Sequence, residues 1–375
     1  MLFSYLWLNE WIDHKLSPEE LADGLTSLGI ETGIVTDNRG KFGKIVVGHV
    51  ESLEKHPEAD KLVVCEVSTG EKSFSIICGA PNVAKGQKVA LAIEGATLKN
   101  GIRVKAKRIR NVLSEGMICS EAELGISEDH EGIMVLDDEC VPGQPLAKYV
   151  EVEDVILEVD LTPNRGDCLS LVGIAREVSA ITGAKVKSPA NPEPESGIKG
   201  FEVKMEIETG CPRYTACEIS GVKVAPSPLK VRRRLDAVGI RPVSNIVDVT
   251  NYIMIETGHP MHAFDRRDLL QNTIIVRGAG KNEKLTTLDG RTHDLEAQDV
   301  VIADAEKGVA LAGIMGGENS EIKNDTKDVI LEAAYFDPRS VRRTSKRLGI
   351  SSESSYRFER GVNPEGLRQA SLRAA

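Results

Sequence analysis

KIVVGHVESLEKHPEADKLVVCEVSTGEKSFSIICGAPNVAKGQKVALAI, residues 44–93, decides the architecture of the first half of the chain. Short runs rich in β-branched residues alternate with clusters of Gly, Pro and Asn, the pattern of brief strands joined by turns. Strands are expected at 44–53, 61–68, 74–78 and 88–93, and a fifth at 103–109. Pro57 forces a turn between the first two, so His56, Glu58 and Asp60 read as turn chemistry rather than metal ligands. Five short strands with one helical stretch over residues 39–149 fit a small closed barrel of the OB type; a β-sandwich module is the alternative.

The flanks of this segment differ from it. Residues 1–38 read as helical, with Ser4 capping a helix over 5–12. Ser17-Pro18-Glu19-Glu20 starts a second helix that reaches about Leu28 and stops at Gly29. Residues 150–190 give a strand at 155–161 and an amphipathic helix at 168–183, with Asp167 placed to cap it. The expectation is a split domain, 1–38 with 150–190, into which the barrel of 39–149 is inserted. SPANPEPESG, 188–197, is a linker by composition, and the boundary segment is set at 191–199. Residues 200–375 form a larger α+β region. Its strands are expected at 201–207, 214–222, 273–277, 299–303, 309–314 and 329–334, and its helices at 228–238, 245–256 and 338–348. Asn363 and Pro364 open a last helix that nothing closes, which suggests a piece of a longer chain.

Composition narrows the function. The 375 residues carry a net charge of −10, which argues against a protein that coats nucleic acid indiscriminately. Aromatic residues make up only 4%, so the cores must be aliphatic. Seven cysteines are scattered without a C-x-x-C pair, which indicates neither a disulfide framework nor a zinc site; they read as small buried apolar residues. No metal site is expected. No apolar run is long enough for a membrane span and no secretory signal opens the chain, so a cytoplasmic protein without membrane or DNA partners is expected.

One stretch runs against the overall charge. KNGIRVKAKRIR, 99–110, contains Lys99, Arg103, Lys105, Lys107, Arg108 and Arg110. In a strand, Arg103, Lys105 and Lys107 share one face. Such a ladder suits a phosphate backbone, and equally a solvated edge that resists aggregation.

Three stretches suggest a pocket. RPVSNIVDVTNY (241–252) and ETGHPMHAFD (256–265) put Thr250 and Asn251 late in a helix and His262 after a Gly-His-Pro turn. LAGIMGGENS (311–320) places Gly316 and Gly317 after an apolar strand, where backbone can approach a ligand closely, without a phosphate-loop pattern. Glu332 lies inside the apolar run 329–334 and must face solvent or be satisfied in a pocket. GISSESSYRFERG (349–361) supplies loop serines but no partner set for a serine-hydrolase triad.

HPEADKL, ICGAPN and SEGMICS together resemble the tRNA-binding domain shared by several synthetases. DLTPNRGDCLS (160–170) and the later stretches resemble the β subunits of bacterial phenylalanyl-tRNA synthetases, in order and along the whole chain. The resemblance implies a multidomain α+β protein: an OB-fold tRNA-binding barrel inserted in a split N-terminal α/β domain, then a B3/B4 editing domain over 200–375, truncated at its C-terminal end. It implies hydrolysis of tyrosyl-tRNA(Phe), with Glu332 reading the tyrosine hydroxyl and His262, Asn251, Thr250 and Gly316 serving catalysis. Arg241, Pro260, Ala263, Gly313, Ser352 and Ser354 would line the pocket; in relatives the last two are often Thr and Ala. It implies tRNA(Phe) and an α subunit as partners in an α2β2 assembly. ATP and Mg2+ would serve the complete synthetase, with no cofactor in this segment. A non-catalytic tRNA-binding scaffold and a sugar- or nucleotide-metabolising enzyme are the rival readings.

Overall fold

Ser4 and Ser17 start the chain's first helices as their neighbours dictate. After strand β1 (Leu2–Ser4), the Ser4 side chain accepts the Trp7 N–H and opens α1 (Tyr5–Trp11). Ser17 Oγ accepts from Glu20 N while Glu20 Oε2 accepts from Ser17 N, a reciprocal cap that opens α2 (Pro18–Ser27). Strand β2 (Glu31–Asp37) follows. The computed structural model describes residues 1–98, 101–127, 130–188, 200–206 and 210–375. Lys99 and the linker at 191–199 lie outside the described residues. The chain divides into two units, 35–156 and the remainder, 1–34 with 157–375.

Unit 35–156 is an antiparallel sheet wrapped around one core. Strands β3 (Ile45–His56), β4 (Ala59–Ser68), β5 (Ser73–Cys78) and β6 (Lys88–Ile93) are followed by β7 (Lys107–Ile109), β8 (Val112–Ser114) and β9 (Gly116–Ile118). A short helix, α3 (Glu121–Leu124), precedes β10 (Val135–Leu136). The sheet order is β10-β6-β3-β4-β5, with β9 also on β6. It nearly closes on itself where Glu115 N–H reaches Ser75 O and Ser114 Oγ accepts from Ile77 N. Val50, Cys65, Val67, Ile76, Val89 and Leu91 fill the interior. Gly48 permits the tight crossing of β3, since a Cβ there would sit 2.5 Å from Val67 Cγ1.

The expected strand at 103–109 is not continuous. Arg103 forms only an isolated bridge with Thr97, while Gly95 N–H reaches Val104 O and Val104 N–H reaches Ala96 O. Regular pairing resumes only at β7, which pairs β8 through a two-residue turn with Arg110 and Asn111 at positive φ.

The second unit begins with β1, α1 and α2 and resumes with β11 (Val155–Asp160), which lies between β1 and β2, and α4 (Leu171–Thr182). The two flanks meet: Lys187 N–H reaches Trp11 O, and Ile12 bridges Val186. Ser170, not Asp167, caps α4, its side chain accepting from Gly173 N. Asp167 is drawn instead to the Arg165 guanidinium.

The remaining elements are β12 (Glu202–Met205), β13 (Arg213–Ser220), α5 (Leu229–Ala237), α6 (Asn245–Thr257), β14 (Met261–Asp265), β15 (Thr273–Gly278), β16 (Lys284–Thr286) and β17 (Thr292–Asp294). Then come β18 (Val300–Ala303), β19 (Gly308–Leu311), β20 (Met315–Gly316), β21 (Asp328–Tyr335), α7 (Pro338–Leu348), α8 (Glu353–Phe358) and α9 (Leu367–Ala374). The strand expected at 309–314 ends at Leu311: residues 312–314 form a turn, and β20 follows beyond the expected range. Asn363 makes a turn, its side chain accepting from Glu365 N, and α9 starts three residues beyond Pro364 rather than at it.

Two sheets share one core here. One has the order β12-β15-β18-β19-β20 and the other β13-β21-β14. Phe264, Ile330 and Ala334 from the second pack with Ile274, Val276, Val301 and Val309 from the first. Each such fully buried aliphatic side chain contributes about 1.5–3 kcal/mol. The outer face of β13-β21-β14 packs Ala263, Leu331 and Ala333 on α6 and α9. Glu256 of α6 is fully buried and accepts from Trp7 Nε1 at 3.2 Å and from Arg373 Nε at 3.0 Å, joining residues from α1, α6 and α9.

Candidate active site

Strand β14 determines the site and was not anticipated in the sequence. Gly258, at φ 76°, ends α6 in the left-handed conformation and lets the chain reverse through His259-Pro260 into Met261–Asp265. The strand pairs with β21 in the register Met261↔Ala333, His262↔Glu332, Ala263↔Leu331. Because side chains alternate along a strand, this register decides which residues meet. His262 and Glu332 project together toward the core between the two sheets. Ala263 projects to the opposite face, against α6 and α9.

His262, Glu332, Pro260, Gly313, Gly316 and Ser354 line one cavity. Ala310, Ala312, Ile314, Met315 and Phe358, which the sequence did not single out, are also among its walls. Its volume is about 40 Å3, which holds water but not a phenol ring. His262 stacks edge-on against Phe264 at 4.6 Å, and its Nε2 is buried without a partner among the described residues. Burial pulls the imidazole down to about 4, so it is neutral at pH 7. Burial pushes the Glu332 carboxyl up to about 7, opposed by a hydrogen bond from Tyr214. Tyr214 comes from β13, the other neighbour of β21, and its hydroxyl donates to Glu332 Oε2 at 2.7 Å. Oε1 makes no hydrogen bond among the described residues.

The glycines shape this wall by close approach. A Cβ on Gly316 would lie 2.6 Å from His262 Nε2, and one on Gly313 would press on Phe336, Phe358 and Val341. The amides of Ala312, Ile314 and Gly317 already donate to Val300, Leu311 and Val309 carbonyls, so these three are not free to hold a substrate carbonyl. Leu288, 45% exposed, lies beside Gly316 and donates its N–H to the Gly316 carbonyl at 3.1 Å.

Other residues singled out in the sequence fall outside the cavity. Ser352 supports its wall: it caps α8 and donates from Oγ to Ile314 O at 2.7 Å. Thr250 and Asn251 stand on α6, behind the sheet; Thr250 is buried and bonds its own helix at Val247 O. Arg241 is exposed on the loop before α6. That loop is fastened by Asp248, a buried carboxylate within the stretch 241–252, not itself singled out in the sequence, which accepts from Val243 N and Ser227 Oγ.

In the barrel, Arg103, Lys105, Lys107, Arg108 and Arg110 are all exposed, but without a continuous strand they form no regular ladder. Arg108 bonds Asn111 O and Arg110 bonds Glu58 O. His56 is a turn-former, its Nδ1 accepting from Glu58 N and its Nε2 meeting Ile109 O.

Family models match two regions: a putative tRNA-binding domain at residues 45–145 and a B3/4 domain at residues 210–375. The chain is 48% identical over 378 residues to the protein named phenylalanine–tRNA ligase beta subunit of Geobacter metallireducens, an alignment covering 100% of this chain and 47% of that protein. Its namesake in Geobacter sulfurreducens is 48% identical over 379 residues, with the same coverage. The chain therefore spans about half the length of the curated relatives it matches. A solved N-terminal fragment of the phenylalanyl-tRNA synthetase β subunit from Pyrococcus horikoshii aligns with 50% of this chain and 57% of that one, at 16% identity and a TM-score of 0.29, too slight a likeness to carry an argument.

Proposed function

We propose, for a chain that belongs to the family of phenylalanine–tRNA ligase β subunits, that it binds tRNA and hydrolyses the ester of tyrosyl-tRNA(Phe). The observation that carries this reading is one pairing: Glu332 opposite a neutral, half-buried His262, its Nε2 buried, in a single cavity of the region matched by the B3/4 model.

The chemistry answers a specificity problem. Tyrosine differs from phenylalanine by one hydroxyl, and an apolar synthetic site rejects such an isostere by only about a hundredfold. A second site that requires the hydroxyl completes the discrimination. Glu332 Oε1 is the acceptor for it; phenylalanine leaves that acceptor unpaired. Ester hydrolysis then needs an oriented water and a group to take its proton. The unpartnered Nε2 of neutral His262 fits both tasks. Hydroxyls of the tRNA ribose can assist. The narrow cavity requires its walls to yield before a side chain enters.

Aminoacylation with ATP and Mg2+ is assigned to the complete synthetase and its α subunit, in an α2β2 assembly. Among the described residues, Asp167, Cys168 and Glu177 are the one group with metal-ligand spacing. The Arg165 guanidinium already bonds all three, so they do not fit a cation. No described helix is long and apolar enough to cross a membrane.

The narrowness of the cavity favours one rival, a tRNA-binding scaffold without hydrolysis. Single-turnover deacylation of tyrosyl- and phenylalanyl-tRNA, by the chain with and without its α subunit, decides. Faster loss of tyrosine is the expected result, and His262→Ala should slow it. No hydrolysis of either ester leaves the scaffold.

A further inference from the structure

Helix α7 carries Arg339, Arg342, Arg343, Lys346 and Arg347 and no acidic residue. The spacing i, i+3, i+4, i+7, i+8 sets all five along one side of the helix. Ser340, Val341, Thr344 and Ser345 are buried on the other. Two of the cations are occupied. Arg347 pairs with Asp299 and Glu296, and Arg343 rests on the Gln298 carbonyl at 3.2 Å. Arg339, Arg342 and Lys346 are exposed, and their side chains have no ion pair or hydrogen bond among the described residues. Like charges at these spacings repel, and α7 has no acid of its own to offset them. In a chain of net charge −10 this is a concentrated exception.

Its position gives the exception meaning. The buried face of α7 abuts the cavity wall: a Cβ on Gly313 would lie 3.1 Å from Val341 Cγ2. α7 also packs on α8, whose Ser354 and Phe358 line the same cavity. The cationic face therefore stands about one helix diameter, roughly 10–12 Å, from that wall, and its stripe runs for about 12 Å along the axis.

We infer that the exposed face of α7 is a docking surface for the phosphate backbone of the single-stranded acceptor end of tRNA, whose terminal ester enters the Glu332–His262 cavity. The inference rests on the reading of that cavity as an ester hydrolase. Charge complementarity selects the partner: three unpaired cations in a row match a flexible polyanion, and laying phosphates along them relieves their mutual repulsion.

The test uses the full chain with Arg339→Gln, Arg342→Gln and Lys346→Gln combined. The probe is an unacylated tRNA transcript titrated across salt concentrations. Loss of three phosphate contacts should make the slope of log K against log salt shallower by about 2 and weaken binding at least tenfold at low salt. Arg339→Lys with Arg342→Lys, which keeps the charge, should bind like the wild type. An unchanged slope overturns the inference. So does a triple variant that binds tRNA normally but no longer associates with the α subunit, which would make this face a protein interface. Tyrosyl-tRNA deacylation measured in parallel separates the two readings. If the slope falls as expected while the wild type hydrolyses nothing, the RNA surface stands and the hydrolase reading fails. If the wild type hydrolyses and the slope is unchanged, the reverse holds.

Discussion

Tyr214 donates its hydroxyl to Glu332 Oε2 at 2.7 Å, so the carboxylate proposed to read a tyrosine is already held by one of the protein's own. The two residues lie on neighbouring strands, Tyr214 two positions along β13 from Ala216, which faces Glu332 directly. One oxygen is thereby fixed, and the other makes no hydrogen bond among the described residues.

Glu332→Ala should cost discrimination more than rate. A hydrogen bond to a charged acceptor is worth about 1.5–3 kcal/mol, so the ratio of tyrosyl- to phenylalanyl-tRNA hydrolysis should fall about ten- to a hundredfold. Single-turnover deacylation of both substrates measures it, and an unchanged ratio would mean that the carboxylate has a structural task.

Tyr214→Phe removes the donor that opposes burial at Glu332. The carboxyl should then titrate above its present value of about 7, and the pH at which the tyrosine preference develops should move upward. The midpoint of the tyrosyl-to-phenylalanyl ratio against pH is the readout. A change in overall rate with a fixed midpoint would show that Tyr214 merely packs.

Stability should carry the same signature. The folded protein holds the Glu332 proton up to about 7, whereas the ordinary value is 4.5. Between those values the folded state binds the extra proton, so the contribution of this group falls as pH rises, by roughly 3 kcal/mol at most. Below the window there is no penalty. Glu332→Gln should therefore gain on the wild type from pH 4.5 to 7, as urea unfolding at the two ends would record.

Gly316→Ala should leave the fold intact and empty the site of function. The added methyl would displace the His262 ring and occupy the place of the water, so hydrolysis of tyrosyl-tRNA should drop at least tenfold with tRNA affinity unchanged. Near-normal hydrolysis would mean that His262 has room to turn aside without loss.

Elements whose signals are local were legible in the sequence. Strand 88–93 and helix 338–348 occur as expected, because apolar runs and a Pro-led start with a Gly stop are read one segment at a time. The cap of α4 was misplaced by three residues because Asp167 and Ser170 both suit the position, and only the nearby Arg165 decides between them. The run at 103–109 has the composition of a strand but not its partner. The site was half legible. Glu332 stands out as an acid in an apolar run, and His262 follows a distinctive turn. Their pairing depends on the register of β14 on β21, a tertiary property spread over seventy residues, and Tyr214 has no motif at all. The cations of α7, R-x-x-R-R-x-x-K-R, were not singled out in the sequence, because only burial of the opposite face gives the pattern its direction.

The Glu256 clasp imposes a timetable on synthesis. Trp7 and Arg373 grip the same buried carboxylate although they are separated by most of the chain. At about 5–20 residues per second, Trp7 leaves the ribosome roughly 20–70 s before Arg373 exists. The barrel of 35–156 is completed during that wait, and α4 (Leu171–Thr182), on which α1 packs, follows it well before α9 closes the clasp. The first helix made is thus seated in stages: the carboxylate that Trp7 bonds arrives with α6 and gains its Arg373 partner only with α9.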